Sequence, residues 1–247
     1  MKKFLFDLHT HTVSSGHAFS TLKENIEEAA RKGLMAIGSS DHSCGMEGAP
    51  TSKFFGNYRV VTPTVMGVRV FMGVEANVVD YDGSLDMEEK LLKKMDYVIA
   101  SLHTSNIQSG SREENTAALI GAMRNPFVKI IGHPDDDRYP LDYPRLVRAA
   151  AEYHVALEVN SASPAGKTGR LNAAANIPVF LALCRQYGVP VIAGSDAHIW
   201  YDVGNLTEAR RILEDVHFPE ELILNVDMAR LSQVLNNSPR LTSDAGD

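Results

Sequence analysis

The chain is poor in several things, and each shortage narrows the reading. It has two cysteines in 247 residues, Cys44 and Cys184. A disulfide-stapled secreted scaffold is excluded at that count, and a chain of this length can bury a core without staples. No apolar run approaches the ~20 residues that a membrane-crossing helix needs. The start, MKKFLFDLHTHT, has two lysines and a short apolar run. Asp7, His9 and His11 interrupt that run at once, so it reads as a strand and not as a leader. Positive charge is not in excess: 24 Lys and Arg stand against 31 Asp and Glu, a net charge of −7. Such a surface repels a polyphosphate backbone, and no basic, aromatic-lined stretch offers a track for a single strand. Low-complexity linkers are missing as well. A soluble, cytoplasmic protein is expected, with residues 1–237 forming one domain and 238–247 a polar tail.

What is present is an alternation. Short apolar or β-branched runs over 4–8, 35–39, 69–74, 97–101, 128–132, 156–159 and 190–193 read as seven strands. Between them lie helical patterns with readable punctuation. Thr21 and Glu24 predict a capping box at the start of the first helix, with Gly33 as its stop, and Ser111 and Glu114 repeat the start signal. NLTEARRILEDV, late in the chain, is another helical stretch. Strands that are apolar on both faces, with helices between them, predict an α/β fold with a parallel sheet. A closed or distorted barrel and an open doubly wound sheet both satisfy the pattern. In either, functional groups belong at the carboxyl ends of the strands.

The histidines obey that expectation. Seven of the nine follow the end of a predicted strand: His9, His11 and His17 after the first, then His42, His103, His133 and His198. Carboxylates fall at the same ends, with Asp7, Asp41, Glu75, Glu158 and Asp196, and Asn160 joins them. The period of two predicts Asp7, His9 and His11 on one face of an extended segment. His154, ahead of its strand, and His217, in a late connection, read as structural or surface residues. Any one of these histidines taken alone is more often a satisfied side chain than a ligand. Five strand ends offering His or carboxylate together are not explained that way.

Imidazoles mixed with carboxylates suit zinc, manganese or iron, whereas an all-oxygen set suits magnesium or calcium. Nine candidate ligands exceed what one ion takes; at about four ligands per zinc they would serve two or three ions, with Glu75 able to bridge. Ions so placed acidify a water and clamp the oxygens of an in-line displacement, which is what phosphoester hydrolysis requires. A serine triad explains the set poorly, and nothing around Cys44 supports it as a nucleophile. Amidohydrolase-type C–N hydrolysis and an inactive metal-storing module are competing readings. The number of ligands argues against the first, and the absence of any gap in the set argues against the second.

The motifs DLHTHT, SSDH, GVEAN, SLH, GHPD and GSDAH occur in that order between residues 7 and 198. The ordered set resembles the PHP (polymerase and histidinol phosphatase) superfamily, most closely its stand-alone phosphatase branch, and the late FPEELILNV is similar too. The resemblance implies a distorted (βα)7 TIM-like barrel with a trinuclear metal site at the C-terminal ends of the strands. It implies that His9 and His11 bind a first ion with Glu75 and Asp196, and that Glu75 bridges to a second held by His103 and His133. His17, His42 and His198 would hold the third. Zinc is the expected metal, with manganese or iron as alternatives, and Glu75, Asp196 and His198 are the expected catalytic residues.

The implied activity is that of a metal-dependent phosphatase. A hydroxide bridging the ions would hydrolyse a small phosphorylated metabolite. Nucleotide phosphodiesterase or exonuclease action and histidinol-phosphate hydrolysis are the alternatives. Asp7 and Asp41 are expected to support ligand histidines from behind. The loop SASPAGKTGRLNAAAN departs from that branch. Its Lys167 and Arg170 are candidate contacts for the substrate phosphate, and Arg138 is a weaker one. Neither a membrane nor an extended nucleic acid is an expected partner, and an oligomer is compatible with the sequence.

Overall fold

A computed structural model describes residues 1–235; the tail expected over 238–247 lies outside the described residues. The apolar runs form strands β1 (Phe6–Asp7), β2 (Ala36–Ser39), β3 (Thr64–Val65), β4 (Val68–Met72), β5 (Val74–Asn77), β6 (Val98–Ser101), β7 (Val128–Ile131), β8 (Ala156–Asn160) and β9 (Val191–Gly194). All pair in parallel except β3, which runs antiparallel along the edge of β4. The helices are α1 (Leu22–Arg31), α2 (Ser52–Gly56), α3 (Glu89–Leu92), α4 (Arg112–Met123), α5 (Tyr143–Tyr153), α6 (Ala173–Tyr187), α7 (Thr207–Asp215) and α8 (Met228–Val234). Both expected capping boxes are formed, Thr21 with Glu24 and Ser111 with Glu114. Among the described residues, no helix is long and apolar enough to cross a membrane.

The strands make two sheets, in the orders β1-β2-β4-β3 and β5-β6-β7-β8-β9. Parallel neighbours follow chain order throughout, without the reversal of a doubly wound sheet. The single strand expected over 69–74 is instead broken at Gly73, where the chain passes from one sheet to the other. It keeps hold of β2 while it does so, since Gly73 N donates to Ser39 O and Glu75 N to Asp41 O. The two sheets are joined by isolated parallel bridges, His42 with Glu75 and Thr10 with Ala197, and not by continuous ladders.

Alternation along the strands separates two cores. Phe6, Leu8, Phe71, Tyr97, Ile99, Ile130 and Ile192 pack on one another on the inner side, and Leu224, Leu231 and Leu235 close that cluster from below. The opposite faces, including Ile37, Val70, Val98, Leu157 and Val191, meet the helices in the larger cluster. Each fully buried aliphatic or phenyl side chain contributes about 1.5–3 kcal/mol. Tyr97 sits at the top of the inner cluster and donates its hydroxyl proton to Leu8 O. A methyl group at Gly38 would fall 2.1 Å from that hydroxyl, so only glycine admits the ring.

Within the strands themselves, β1 and β9 are linked through the side chain of Asn225. Asn225 is fully buried and lies in the 3₁₀ turn Leu224–Val226. Its Oδ1 accepts from Ala193 N at 2.7 Å, while Nδ2 donates to Ala193 O at 2.9 Å and to Phe6 O at 3.0 Å. Leu5 N donates to its backbone oxygen at 2.8 Å. An amide here stands in for the ladder that two edge strands would otherwise form. Replacing it should leave several buried backbone groups unpaired at about 1–3 kcal/mol each. Asn225→Ala is therefore expected to lower stability in urea unfolding by about 3 kcal/mol or more; a loss under about 1 kcal/mol would show that the closure does not depend on it.

Candidate metal centre

The carboxyl ends of the strands converge on Glu75, which is buried at the start of β5. Its Oε2 lies 3.4 Å from His9 Nε2, 3.5 Å from His11 Nε2 and 2.9 Å from His42 Nδ1. Its Oε1 lies 3.3 Å from His103 Nε2 and 2.9 Å from His133 Nε2. Asp196 faces the same point from the exit of β9, with Oδ1 3.5 Å from His9 Nε2 and 3.3 Å from His11 Nε2. His198 and His17 complete the outer side, with their Nε2 atoms 3.0 Å apart. Donor atoms close enough to share one ion occur in three sets: His9, His11 and Asp196; His42, Glu75 and His103; His11, His42 and His198. All nine residues singled out in the sequence are thus gathered at one place. His17 is the most exposed of them, and it meets the others only through His198 and the stacked ring of His42.

The outer nitrogens of the rings decide what the inner ones offer. His9 Nδ1 lies 2.7 Å from Glu158 Oε1, a carboxylate that can only accept when ionised. His198 Nδ1 meets the backbone oxygen of Asp196 at 2.9 Å. His103 Nδ1 meets Asn77 Oδ1 at 2.7 Å, and the amide is fixed that way round because its Nδ2 donates to Asp86 and Ser43. His11 Nδ1 meets Ser15 Oγ at 3.0 Å, whose own proton goes to Asp41. In each case the outer nitrogen is the N–H donor, which leaves Nε2 turned inward. His9 Nε2, His11 Nε2 and His42 Nδ1 are buried and form no hydrogen bond. Buried imidazole nitrogens around two carboxylates fit divalent transition ions, which would satisfy the nitrogens and offset the negative charge together.

Electrostatics point the same way. Burial works against ionisation of Glu75, yet His9, His103 and His42 hold it well below the usual carboxylate range. Asp196 is also buried and is held down by His9 and Arg170. Burial depresses His11 well below its ordinary value, helped by His198 and His42, and takes His103 down to about 4. His9 is the exception: burial disfavours its charge, but Glu158, Glu75 and Asp196 outweigh it and hold the ring well above the usual range. A proton on His9 therefore occupies the place a cation would take. Zinc titration at neutral pH is expected to release about one proton on that account, measured by calorimetry in buffers of different ionisation enthalpy. Binding without proton release would contradict this arrangement.

Two supporting carboxylates act differently from the sequence expectation. Phe6 and Leu8 fill the inner cluster, and Asp7 between them turns to the opposite side of β1. Buried Asp7 accepts from the backbone N–H groups of His9, Ser195 and Gly204, tying the exits of β1 and β9 together. Asp41 does not hold the His42 ring. It accepts from Thr12, Ser15 and Ser39, and through Ser15 it orients His11 and the backbone of His42. His154 and His217 stand apart, each with positive φ at the end of a helix. Cys44 is exposed, and Cys184 is buried with its thiol pushed up to about 12 by burial.

Glu158 is the residue that sequence reasoning passed over. It stood at a strand end, but no role followed from its position alone. Besides fixing His9, its Oε2 accepts from His133 N at 2.7 Å and from Asn160. A methyl group at Gly194 would lie 2.0 Å from Glu158 Oε1, so β9 must carry glycine for this carboxylate to reach His9. Strand alternation was the available signal, since Ala156, Glu158 and Asn160 share the inward face of β8. His133 and Asp196 themselves have φ of 30° and 54°, a conformation side chains rarely adopt and one that concentrates at functional sites. Glu158→Gln is expected to weaken zinc binding by about 10–100-fold in competition with a chromophoric chelator, as is usual for such supports.

Above the cluster opens a cavity of about 450 Å³ whose wall includes Arg138, Lys167 and Arg170. Arg170 Nη1 donates to Asp196 Oδ2 at 2.8 Å and to Ser163 Oγ at 3.2 Å. Lys167 pairs with Asp202 at 2.5 Å on the more exposed side.

Comparison with known proteins agrees with this frame. Residues 7–176 match the PHP domain family, and residues 181–216 match the PHP-associated family. A probable phosphatase of Caldanaerobacter subterraneus is 46% identical over 94% of this chain and 91% of its own. One from Clostridium novyi is 41% identical over 97% of both. The chain belongs to the PHP family. Among solved structures, histidinol phosphate phosphatase from Lactococcus lactis, complexed with zinc, L-histidinol and phosphate, superposes with a TM-score of 0.60 at 18% identity. That match covers 87% of this chain and 94% of that one, and it shows the shared fold.

Proposed function

We propose that this chain is a metal-dependent phosphomonoesterase acting on a small phosphorylated metabolite, on a frame that reads as a distorted (βα)7 barrel. It would use two or three divalent ions, with zinc first and manganese or iron as alternatives. The observation that carries the reading is the convergence of five histidines on the single buried carboxylate of Glu75, three of them with a buried ring nitrogen that forms no hydrogen bond. The curated relatives named as probable phosphatases, matched over nearly their whole length, support the reaction class.

In this reading His9, His11, Glu75 and Asp196 hold one ion, and Glu75, His103 and His133 a second. His17, His42 and His198 hold a third. Ions so held supply Lewis acidity, lowering the pKa of a water and neutralising charge on the phosphoryl oxygens. The chain's own groups do the rest. Glu158, Asn77 and Ser15 keep the imidazoles in their tautomers. Arg170 keeps an N–H edge free beside Asp196 and receives a phosphoryl oxygen bidentately or singly. Burial of the floor excludes bulk water, so each of these contacts counts for more than it would in solution.

The purified protein is expected to release phosphate from an aryl phosphate and to lose that activity on chelation, with recovery on adding zinc or manganese. Glu75→Gln should remove bound metal and activity together, by more than the about 10–100-fold that a supporting residue costs. Elemental analysis beside the rate assay checks both, and full activity without metal at that position would sink the scheme. Histidinol phosphate is the second substrate reading, favoured by the fold shared with the lactococcal enzyme.

A further inference from the structure

We propose that the physiological substrate carries a second anionic group, phosphate or carboxylate, besides the phosphoryl group that is cleaved. Arg138, assisted by Lys167, reads that group. The inference rests on the phosphatase reading above and narrows it to a substrate class.

Arg138 is held along one edge only. Its backbone N–H donates to Asp136 Oδ1 at 3.0 Å, and its Nε to Asp136 Oδ2 at 2.7 Å. Asp136 is buried, and its Oδ1 also accepts from Leu171 N at 3.0 Å. The two Nη groups of Arg138 have no hydrogen bond or ion pair among the described residues. An arginine fixed through Nε presents its fork already oriented, so an anion that binds it costs little side-chain freedom. A carboxylate or phosphate can meet that fork with two parallel hydrogen bonds.

Position adds to this. The loop carrying Arg138 is stitched to the loop carrying Arg170. Asp137 N donates to Leu171 O at 3.0 Å, and Asn172 and Asn176 both donate to the Asp137 carboxylate, at 2.6 and 2.8 Å. Arg138 Nη1 passes beside Gly169, where even an added methyl group would stay 3.7 Å away. The cavity wall therefore offers two forks in succession. Arg170 is rooted on Asp196 at the floor, and Arg138 is rooted on Asp136 further out. The fork rooted on Asp196 serves the transferred phosphoryl group, and the fork rooted on Asp136, on a different loop, is assigned to the second anion. Lys167, tied to Asp202, adds a third positive charge on that side.

No Phe, Tyr or Trp lines this cavity among the described residues. A nucleobase or aryl leaving group would find no aromatic ring to stack on other than the histidines of the cluster, and a distal ammonium group beside Arg138 would face a cation. Both considerations favour an aliphatic or sugar-like substrate ending in a second anion.

The test compares matched pairs on the metal-loaded protein: fructose 1,6-bisphosphate against fructose 1-phosphate, and 3-phosphoglycerate against glycerol 3-phosphate, with histidinol phosphate as the cationic arm. The two-anion member of each pair is expected to show a KM lower by about tenfold, one good charge-assisted contact. The first pair reports on phosphate and the second on carboxylate as the distal group. In Arg138→Ala the ratio within each pair should collapse toward one, and Arg138→Lys should restore part of it. Calorimetric binding of the same pairs reads the preference without turnover, so an absent phosphatase activity and an absent anion preference remain separate results. Equal affinity within both pairs, a ratio that survives Arg138→Ala, or preference for histidinol phosphate would overturn the proposal.

Discussion

Everything at the functional end of this molecule depends on one buried negative charge. Glu75 would be costly to ionise in isolation, because burial of a carboxylate without a partner is strongly unfavourable. It is tolerated because five imidazoles from four strand exits lie around it, and they are drawn there because it is ionised. Neither side is stable alone. The arrangement explains why supporting contacts lie behind the rings. Glu158, Asn77, Ser15 and the Asp196 carbonyl each settle which nitrogen carries the proton, a choice made outside the cluster for the benefit of its centre.

Much of this was legible in the sequence, and the reasons differ by element. The strands read correctly because burial on both faces leaves unbroken apolar runs, and α1 and α4 read correctly because their capping boxes are local chemistry. The clustering of histidines followed from a topological rule, since parallel strands deliver their exits to one side. The break at Gly73 was invisible: an apolar run looks the same whether it lies in one sheet or changes sheets. That Asp7 gathers the backbone N–H groups of Ser195 and Gly204 was not legible, because those partners lie far along the chain.

Asn225 illustrates what local pattern cannot reach. A single asparagine in a short turn reads as surface, and only the fully folded molecule shows that it completes pairing between β1 and β9. The loop beyond Asn160 is illegible for a related reason. It has no periodicity, and its shape is dictated by bonds to Asp136 and Asp137 on another loop. Those acidic residues are equally silent in sequence, where a run of three aspartates reads as a solvated stretch. The parts that choose the substrate are the parts that obey no repeating rule.

The clip at Asn225 also has a consequence in time. His9 and His11 leave the ribosome well before Asp196 and His198. The bonds that Asn225 makes to both β1 and β9 must wait until that residue too has emerged behind them. A nascent chain thus passes through a long interval in which histidines and carboxylates from the early strands are present without their final partners. Domains tend to fold as units once enough chain is available. Here that threshold is reached only once Asn225 is available, so the early and late groups of the cluster come together late in folding and not strand by strand.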